Sequence, residues 1–317
     1  MTAPALPPLS LGTMTFGDTV DEAGSKLIFE AALDAGITWI DTANSYADGR
    51  TEQIVGQLVK GREGLVLATK AGQPQSELGT ESLLSPAQLR KAVEASLRRL
   101  DRDNVDVLYL HVPDRSTPLA DTLSTIAELM AEGKISHLGV SNYSAWQVGE
   151  IIRIAEQVGA PRPIISQQMY NLVARRLDDE YAEFAQVADL DTVIYNPLAG
   201  GLLTGRYSSA ADAQTGRFAT FNNAQQYRDR YFNDALFAAV ERFSAIADAA
   251  GMPLAELALR WTLSRPVVQS VLLGGSKVSH LLANIDAARK GALEGAVLEA
   301  LDEVGAELRG PMPAYNR

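Results

Sequence analysis

A closed (β/α)8 barrel is the fold class this sequence predicts. Two observations carry it. Short apolar runs alternate eight times with amphipathic stretches at helical spacing along the 317 residues. The runs are apolar throughout, as parallel strands covered on both faces are. No linker-like or low-complexity segment interrupts the alternation, so one domain over residues 1–317 is expected. With 46% hydrophobic and 21% charged residues the chain can bury a large core.

The elements follow in order. Leu9 to Met14 reads as a first strand after a proline-rich lead. Asp21 to Ala35 reads as a helix, with Leu27, Ile28, Ala31 and Ala32 on its inner face and Gly36 as its stop. Ile37 to Ile40 is the second strand and runs into the polar loop Asp41 to Tyr46. Thr51 to Val59 is a helix with Ile54, Val55 and Leu58 inward, and Leu65 to Lys70 is the third strand. Ser85 and Pro86 supply an N-cap and a first helical residue for a stripe of Leu89, Val93, Leu97 and Leu100. Val105 to His111 is the fourth strand, and Pro118 to Glu132 a helix ended by Gly133. His137 to Ser141 is the fifth strand, followed by a helix over Ser144 to Val158. Pro163 to Gln167 and Asp178 to Ala188 form the sixth pair, and Thr192 to Tyr195 is the seventh strand. A long insertion rich in Gly, Arg and aromatics runs from about Gly200 to Tyr231. Helices over Phe232 to Ala250 and Leu254 to Ser264 precede the eighth strand, Val267 to Leu273. Its helix spans Ser279 to Lys290, and an extra C-terminal helix runs from about Leu293 to Leu308.

Composition excludes several function classes. A net charge of −11 argues against a nucleic-acid surface, which needs a basic face. The absence of cysteine removes disulfides, thiolate metal sites and cysteine nucleophiles, and it fits a reducing compartment. The first residues lack a basic and then apolar leader, and no apolar run approaches ~18 residues, so neither a signal peptide nor a membrane span is expected. A cytoplasmic protein is the expectation. There is no His-Glu-x-x-His and no Gly-x-Gly-x-x-Gly after a strand, so no metal and no Rossmann cofactor site is predicted.

A barrel carries its chemistry at the C-terminal ends of its strands. Asp41, Lys70, His111, Ser141, Asn142, Gln167 and Tyr195 all fall there, and Tyr46 follows in the second loop. Each has a bland reading taken alone: an Asp after a strand caps helices, a Lys is solvated, a Tyr or His packs. Together Asp41, Tyr46, Lys70 and His111 make a proton-transfer set on three adjacent strands. A phenol is a weak acid, with an ordinary pKa near ~10, and a nearby ammonium favours its phenolate. Lys70 would supply the ammonium and Asp41 would pin it. His111 would hydrogen-bond the substrate oxygen. Tyr46 would donate a proton to a carbonyl oxygen that gains charge as hydride arrives. Gly274 to Lys277, after the eighth strand, could bind phosphate at a helix start, or be a plain turn and N-cap. Asn284 lies two turns into that helix, on about the same face as Lys277 and His280.

The chain resembles the aldo-keto reductases. Gly36 to Tyr46 with Glu52 and Gly56, Thr69-Lys70 and Tyr109 to His111 look like that family's motifs around its catalytic Asp, Tyr, Lys and His. Leu11 to Met14, His111 to Pro118, Gly139 to Trp146, Asn196 to Tyr207, Gly216 to Phe218, Tyr227 to Tyr231 and the tail Ala314 to Arg317 resemble its aflatoxin aldehyde and succinic semialdehyde reductase branch. The resemblance covers nearly the whole chain and implies a metal-free barrel that reduces aldehydes or ketones with a nicotinamide cofactor. It implies that Ser141, Asn142 and Gln167 hold the carboxamide and that Tyr195 stacks on the ring. Leu198, Gly200 and Arg206 would line the pyrophosphate. Ser276, Lys277, His280 and Asn284 would surround the adenosine end. It also implies cofactor contacts from Thr13, Met14, Asp41, Pro197, Leu203 and Gly274. His280 stands where the family often has Gln or Arg, and Ala283 where it often has Glu or Gln, so weaker or different adenine recognition is expected. Lys277 suits a 2′-phosphate, so NADPH is expected over NADH.

For substrate, Tyr46 and His111 are expected at the carbonyl. Arg217, Arg228 or the terminal Arg317 could clamp a carboxylate, since a guanidinium fork matches that geometry. A solvated tail is the other reading of Arg317. The branch suggests a homodimer. The alternative function is an NADP-binding redox-sensing or interaction subunit with little turnover.

Overall fold

The structure, a computed structural model, describes residues 3–80, 82–207, 209, 212, 217–220 and 224–310. Arg317 and the side chain of Arg217 lie outside the described residues. The chain groups into two compact units. The first holds Met1–Gln168, Glu180–Tyr195 and Val267–Ala283, and the second Met169–Asp179, Asn196–Pro266 and Asn284–Arg317.

Eight parallel strands close into a barrel in the order β1-β2-β3-β4-β5-β6-β7-β8. They are β1 Leu9–Gly12, β2 Trp39–Asp41, β3 Val66–Ala71, β4 Val105–Leu110, β5 Ile135–Ser141, β6 Ile165–Met169, β7 Asp191–Tyr195 and β8 Ser270–Leu273. The predicted eightfold alternation is therefore what the chain forms. Strand boundaries move by a few residues: β8, for instance, begins at Ser270 rather than Val267.

Helices of the first unit are α1 Glu22–Asp34, α2 Arg50–Val59, α3 Pro86–Leu100, α4 Leu119–Ala131, α5 Ala145–Val158 and α6 Tyr181–Val187. Their ends follow local chemistry. The Asp21 side chain accepts from Gly24 N–H at 2.8 Å at the start of α1. Ser144 and Gln147 form a capping box on α5, and Gly159 ends it with φ 67°. Ser85 stands at the N-cap of α3 before Pro86 but makes no side-chain capping bond. One helical face differs from expectation. Leu27 of α1 is 63% exposed, because packing covers only the narrower stripe Ser25, Ile28, Phe29 and Ala32.

The second unit contains α7 Arg217–Thr220, α8 Ala224–Tyr231, α9 Asp234–Ala249 and α10 Leu254–Leu263. Residues of α11 Val278–Arg289 are divided between the units, and α12 Gly295–Leu308 belongs to the second. Thus the insertion after β7 and the extra C-terminal helix are both present. Arg175 organises this unit. Its guanidinium donates to Asp302 (2.7 Å) and to the Leu301 carbonyl (2.7 Å), and lies 4.3 Å from the Trp261 ring centroid. Gly305 leaves the room: a Cβ there would fall 2.2 Å from the guanidinium.

The barrel core sets the position of the site. Trp39, Ala68, Val107, Tyr109, Ile165, Val193 and Leu272 form one buried cluster. Strand side chains alternate, so the residue two further along points the same way. Two residues after Trp39, Ala68, Tyr109, Ile165 and Val193 stand Asp41, Lys70, His111, Gln167 and Tyr195. A polar layer therefore lies directly above an apolar one at the C-terminal end of the barrel. Register fits this layering, with Asp41 opposite Ala68, Lys70 opposite Tyr109 and Ser141 opposite Gln167. Gly139, opposite Tyr109, makes room for the large ring, because an added Cβ would sit 2.6 Å from it. Tyr109 is fully buried and cannot retreat. Gly139→Ala should destabilise the fold by about 1–3 kcal/mol, read as a lowered Tm.

Candidate active site

Asp41 and Lys70 are both buried at the strand ends and form an ion pair. Nζ of Lys70 donates to three acceptors: Asp41 Oδ1, the Thr42 carbonyl at 2.8 Å and the Tyr46 phenol oxygen at 3.3 Å. Burial pushes the Asp41 carboxyl up and the Lys70 ammonium down from their ordinary values, and their mutual attraction opposes both. The bonding set favours the ionised pair. An ammonium has three donors and no acceptor, which matches three acceptors around Nζ. The other Asp41 oxygen accepts from Gln167 Nε2 at 2.8 Å, and the Asp41 carbonyl accepts from Thr13 N–H (3.0 Å) and Thr13 Oγ1 (2.9 Å).

Tyr46 is half-buried at the start of a 3₁₀ turn, Tyr46–Gly49. Since Lys70 donates to its oxygen, the phenol proton is directed elsewhere. Nζ also lies 5.0 Å from the Tyr46 ring centroid. His111 meets the same ring edge-on, with centroids 6.0 Å apart at 81°. Buried and close to Lys70, His111 has its pKa pushed well below the ordinary 6.5, first by desolvation and then by the Lys70 charge. It is therefore a neutral imidazole near neutral pH. Above 6.5 His111 is neutral folded and unfolded. As pH falls below 6.5 only the unfolded chain takes the proton readily, so stability is lost. For the same reason the rate of an activity that depends on His111 should show no break near 6.5 in a pH profile.

The neighbouring strand ends carry more polar groups. Ser141 Oγ donates to the Gln167 carbonyl at 2.9 Å, and Asn142 Nδ2 donates to the His111 carbonyl at 2.9 Å. Asn142 takes a left-handed conformation, φ 64°, and its Oδ1 accepts from the Tyr195 hydroxyl at 2.6 Å. The structure thus brings Asp41, Tyr46, Lys70, His111, Ser141, Asn142, Gln167 and Tyr195 to one end of the barrel, with Thr13 bonded to Asp41 and Met14 following it. After the eighth strand, Lys277 is exposed at the start of α11, where the His280 and Leu281 N–H groups bond to its carbonyl.

The N–H groups of a first helical turn point outward along the helix axis, which gives the start of α11 an anion-facing end. Gly274 carries no side chain where the chain passes β1, since a Cβ there would lie 3.2 Å from the Gly12 carbonyl. Polar side chains at the ends of β5 and β6, with a cation at the start of α11, are the group types that a carboxamide and a phosphate would need. The second unit holds Pro197, Leu198, Gly200, Leu203, Arg206 and Asn284. There Gly200 is left-handed with φ 69°, and its N–H donates to Asn196 Oδ1 at 2.6 Å. Arg206 is exposed. Arg228 donates to the Phe218 carbonyl and to Gln225 at 2.7 Å, so its guanidinium is engaged within its own unit.

A model of the aldo/keto reductase family matches residues 8–306. The chain belongs to the aldo/keto reductase family. Among the similar relatives of this aldo/keto reductase, aflatoxin B1 aldehyde reductase member 2 of Rattus norvegicus is 34% identical over 99% of this chain and 89% of its own. Aldo-keto reductase family 7 member A3 of Homo sapiens is 35% identical over 99% and 98%. A probable voltage-gated potassium channel subunit beta of Arabidopsis thaliana is 34% identical over 88% and 86%. Among the described residues no helix is long and apolar enough to cross a membrane.

The sequence offers no sign of one support of the site, the Thr42 carbonyl, and shows a second, Glu52, only as part of a motif whose structural role the fold supplies. The Thr42 carbonyl is the third acceptor of Lys70, which only the folded loop reveals. Glu52 of α2 is fully buried, accepting from Thr69 Oγ1 at 2.6 Å and from Arg99 Nε at 2.8 Å. It ties the helix after Tyr46 to the strand of Lys70. A signal for it existed: Glu52, Val55 and Val59 share one helical face, so a carboxylate sits on a buried stripe and needs a partner.

Proposed function

We propose that this aldo/keto reductase reduces an aldehyde to the alcohol, with NADPH as hydride donor and Tyr46 as general acid. The observation that carries the reading is Lys70 Nζ donating to the Tyr46 oxygen while Asp41 holds Lys70 from behind. When bound, the dihydronicotinamide supplies the hydride. The chain's own residues do the rest. Tyr46 gives its proton to the oxygen that becomes an alcohol. Lys70 stabilises the phenolate left behind, and Asp41 keeps Lys70 charged and aimed. Neutral His111 offers a hydrogen bond to the substrate oxygen without competing as an acid.

Ser141, Asn142 and Gln167 suit the carboxamide, and Tyr195 offers a ring to the nicotinamide. Thr13 and Met14 follow β1 on the same side. Gly274, Ser276, Lys277 and His280 suit the phosphate and adenosine end, with Lys277 favouring NADPH over NADH. Pro197, Leu198, Gly200, Leu203, Arg206 and Asn284 are proposed as further cofactor contacts. The names of the reductase relatives support an aldehyde as substrate. A carboxylate clamp by Arg317, with Arg217 or Arg228, belongs to the proposal, as do a homodimer and a cytoplasmic location.

The test is a turnover screen with NADPH and NADH against neutral aldehydes, dicarbonyls and semialdehyde acids. Faster oxidation of NADPH with at least one aldehyde is expected. No aldehyde-dependent oxidation of either cofactor would sink the reading. Similarity to a potassium channel subunit beta favours a second reading, a cofactor-binding subunit with little turnover. Tight NADPH binding with only slow oxidation by every aldehyde would select it.

A further inference from the structure

We propose that Asp48 is a positioning residue for Tyr46, pinning a strained turn to the loop after β3 so that the phenol stays beside Lys70. The proposal rests on the reading of Tyr46 as general acid. Three consecutive residues after Tyr46 are left-handed: Ala47 (φ 43°), Asp48 (φ 53°) and Gly49 (φ 93°). Only the glycine adopts that conformation without a steric penalty. Something outside the turn must hold it.

The hold comes from the loop that continues beyond Lys70. Asp48 Oδ1 accepts from the Ser76 N–H at 2.9 Å, and Asp48 Oδ2 from the Ser76 hydroxyl. Ser45 Oγ donates to Gln73 Oε1 at 3.2 Å. Gly49 lies against Gln75 and Arg99, where a Cβ would come within 2.9 Å of both. Before Tyr46, the Asn44 N–H donates to the Lys70 carbonyl at 3.1 Å. The segment bearing Tyr46 is thus fastened on both sides to the strand of Lys70 and its following loop.

An Asp in a turn commonly bonds its own nearby backbone. Here both carboxylate oxygens reach a loop 28 residues away. Asp48 and Ser76 are exposed, so removing the clamp buries no unpaired charge. Its loss should move the phenol and spare the fold. The titratable groups facing Tyr46 are Lys70 on β3 and His111 just past β4, with Asp41 of β2 behind Lys70. A phenol farther from the ammonium is a weaker acid.

The experiment compares Asp48→Ala, Ser76→Ala and Asp48→Asn in the full chain. It measures kcat against pH with NADPH and an aldehyde, the Kd for NADPH, and Tm. Asp48→Ala should lower the kcat plateau roughly tenfold or more, as small misplacements do. The basic limb of its profile should move to higher pH, with Kd and Tm nearly unchanged. Ser76→Ala keeps the backbone N–H and should show a smaller change in the same direction. Asp48→Asn should recover most of the plateau, since Asn accepts from the Ser76 N–H and tolerates a left-handed backbone. An unchanged plateau and limb in Asp48→Ala would overturn the clamp. So would a fall in kcat that tracks Tm with the limb unmoved. Wild-type turnover in Tyr46→Phe is a different failure, because it removes the underlying reading of Tyr46.

Discussion

Tyr46→Phe is expected to lower kcat for aldehyde reduction by roughly 10²–10⁴-fold, the range a positioned acid contributes. Phenylalanine keeps the ring and its edge-on contact with His111, so packing changes little. What disappears is the oxygen that accepts from Lys70 at 3.3 Å, and with it the transferable proton. The residual rate would come from water at the same place. NADPH affinity should stay within about twofold, because the residues proposed to hold the cofactor are untouched. Steady-state kinetics and a fluorescence titration of NADPH separate the two quantities.

Asp41→Asn is expected to cost both activity and stability. Lys70 is fully buried, and the variant leaves its ammonium without its ion-pair partner. Breaking a buried pair from one side costs about 3–5 kcal/mol. The new amide group also confronts Gln167 Nε2, which now donates to the carboxylate at 2.8 Å. A neutral Lys70 no longer stabilises a phenolate, so kcat should fall as well. The double substitution Asp41→Leu with Lys70→Met removes both charges. It should recover a large part of the lost Tm while kcat stays low, which separates the two roles. If the double variant regained activity along with Tm, the pair would be structural only.

Much of the barrel was legible because strands alternate. The same period that puts Trp39, Ala68, Tyr109, Ile165 and Val193 in the core puts Asp41, Lys70, His111, Gln167 and Tyr195 one layer above. Contacts made after chain reversal were not legible. The Asp48–Ser76 clamp joins two loops whose geometry depends on three left-handed residues, and nothing in Tyr46-Ala47-Asp48-Gly49 demands that Ala47 be one of them. The Thr42 carbonyl has no sequence signature at all. Leu27 shows the limit of helical spacing: it lies at the edge of an apolar stripe, and the neighbours available to cover that stripe leave it outside. The cofactor end was harder still. Lys277, His280 and Asn284 stand at helical spacing, but what they would contact depends on loops whose chemistry the spacing does not encode.

The most direct measurement is a single turnover of the enzyme preloaded with NADPH, mixed with aldehyde in H₂O and in D₂O, for wild type and Tyr46→Phe. Wild type is expected to transfer hydride rapidly, and more slowly in D₂O, because the Tyr46 proton moves with it. Tyr46→Phe should be slower by roughly 10²-fold or more. Equal hydride-transfer rates in the two proteins, with the same response to D₂O, would contradict it.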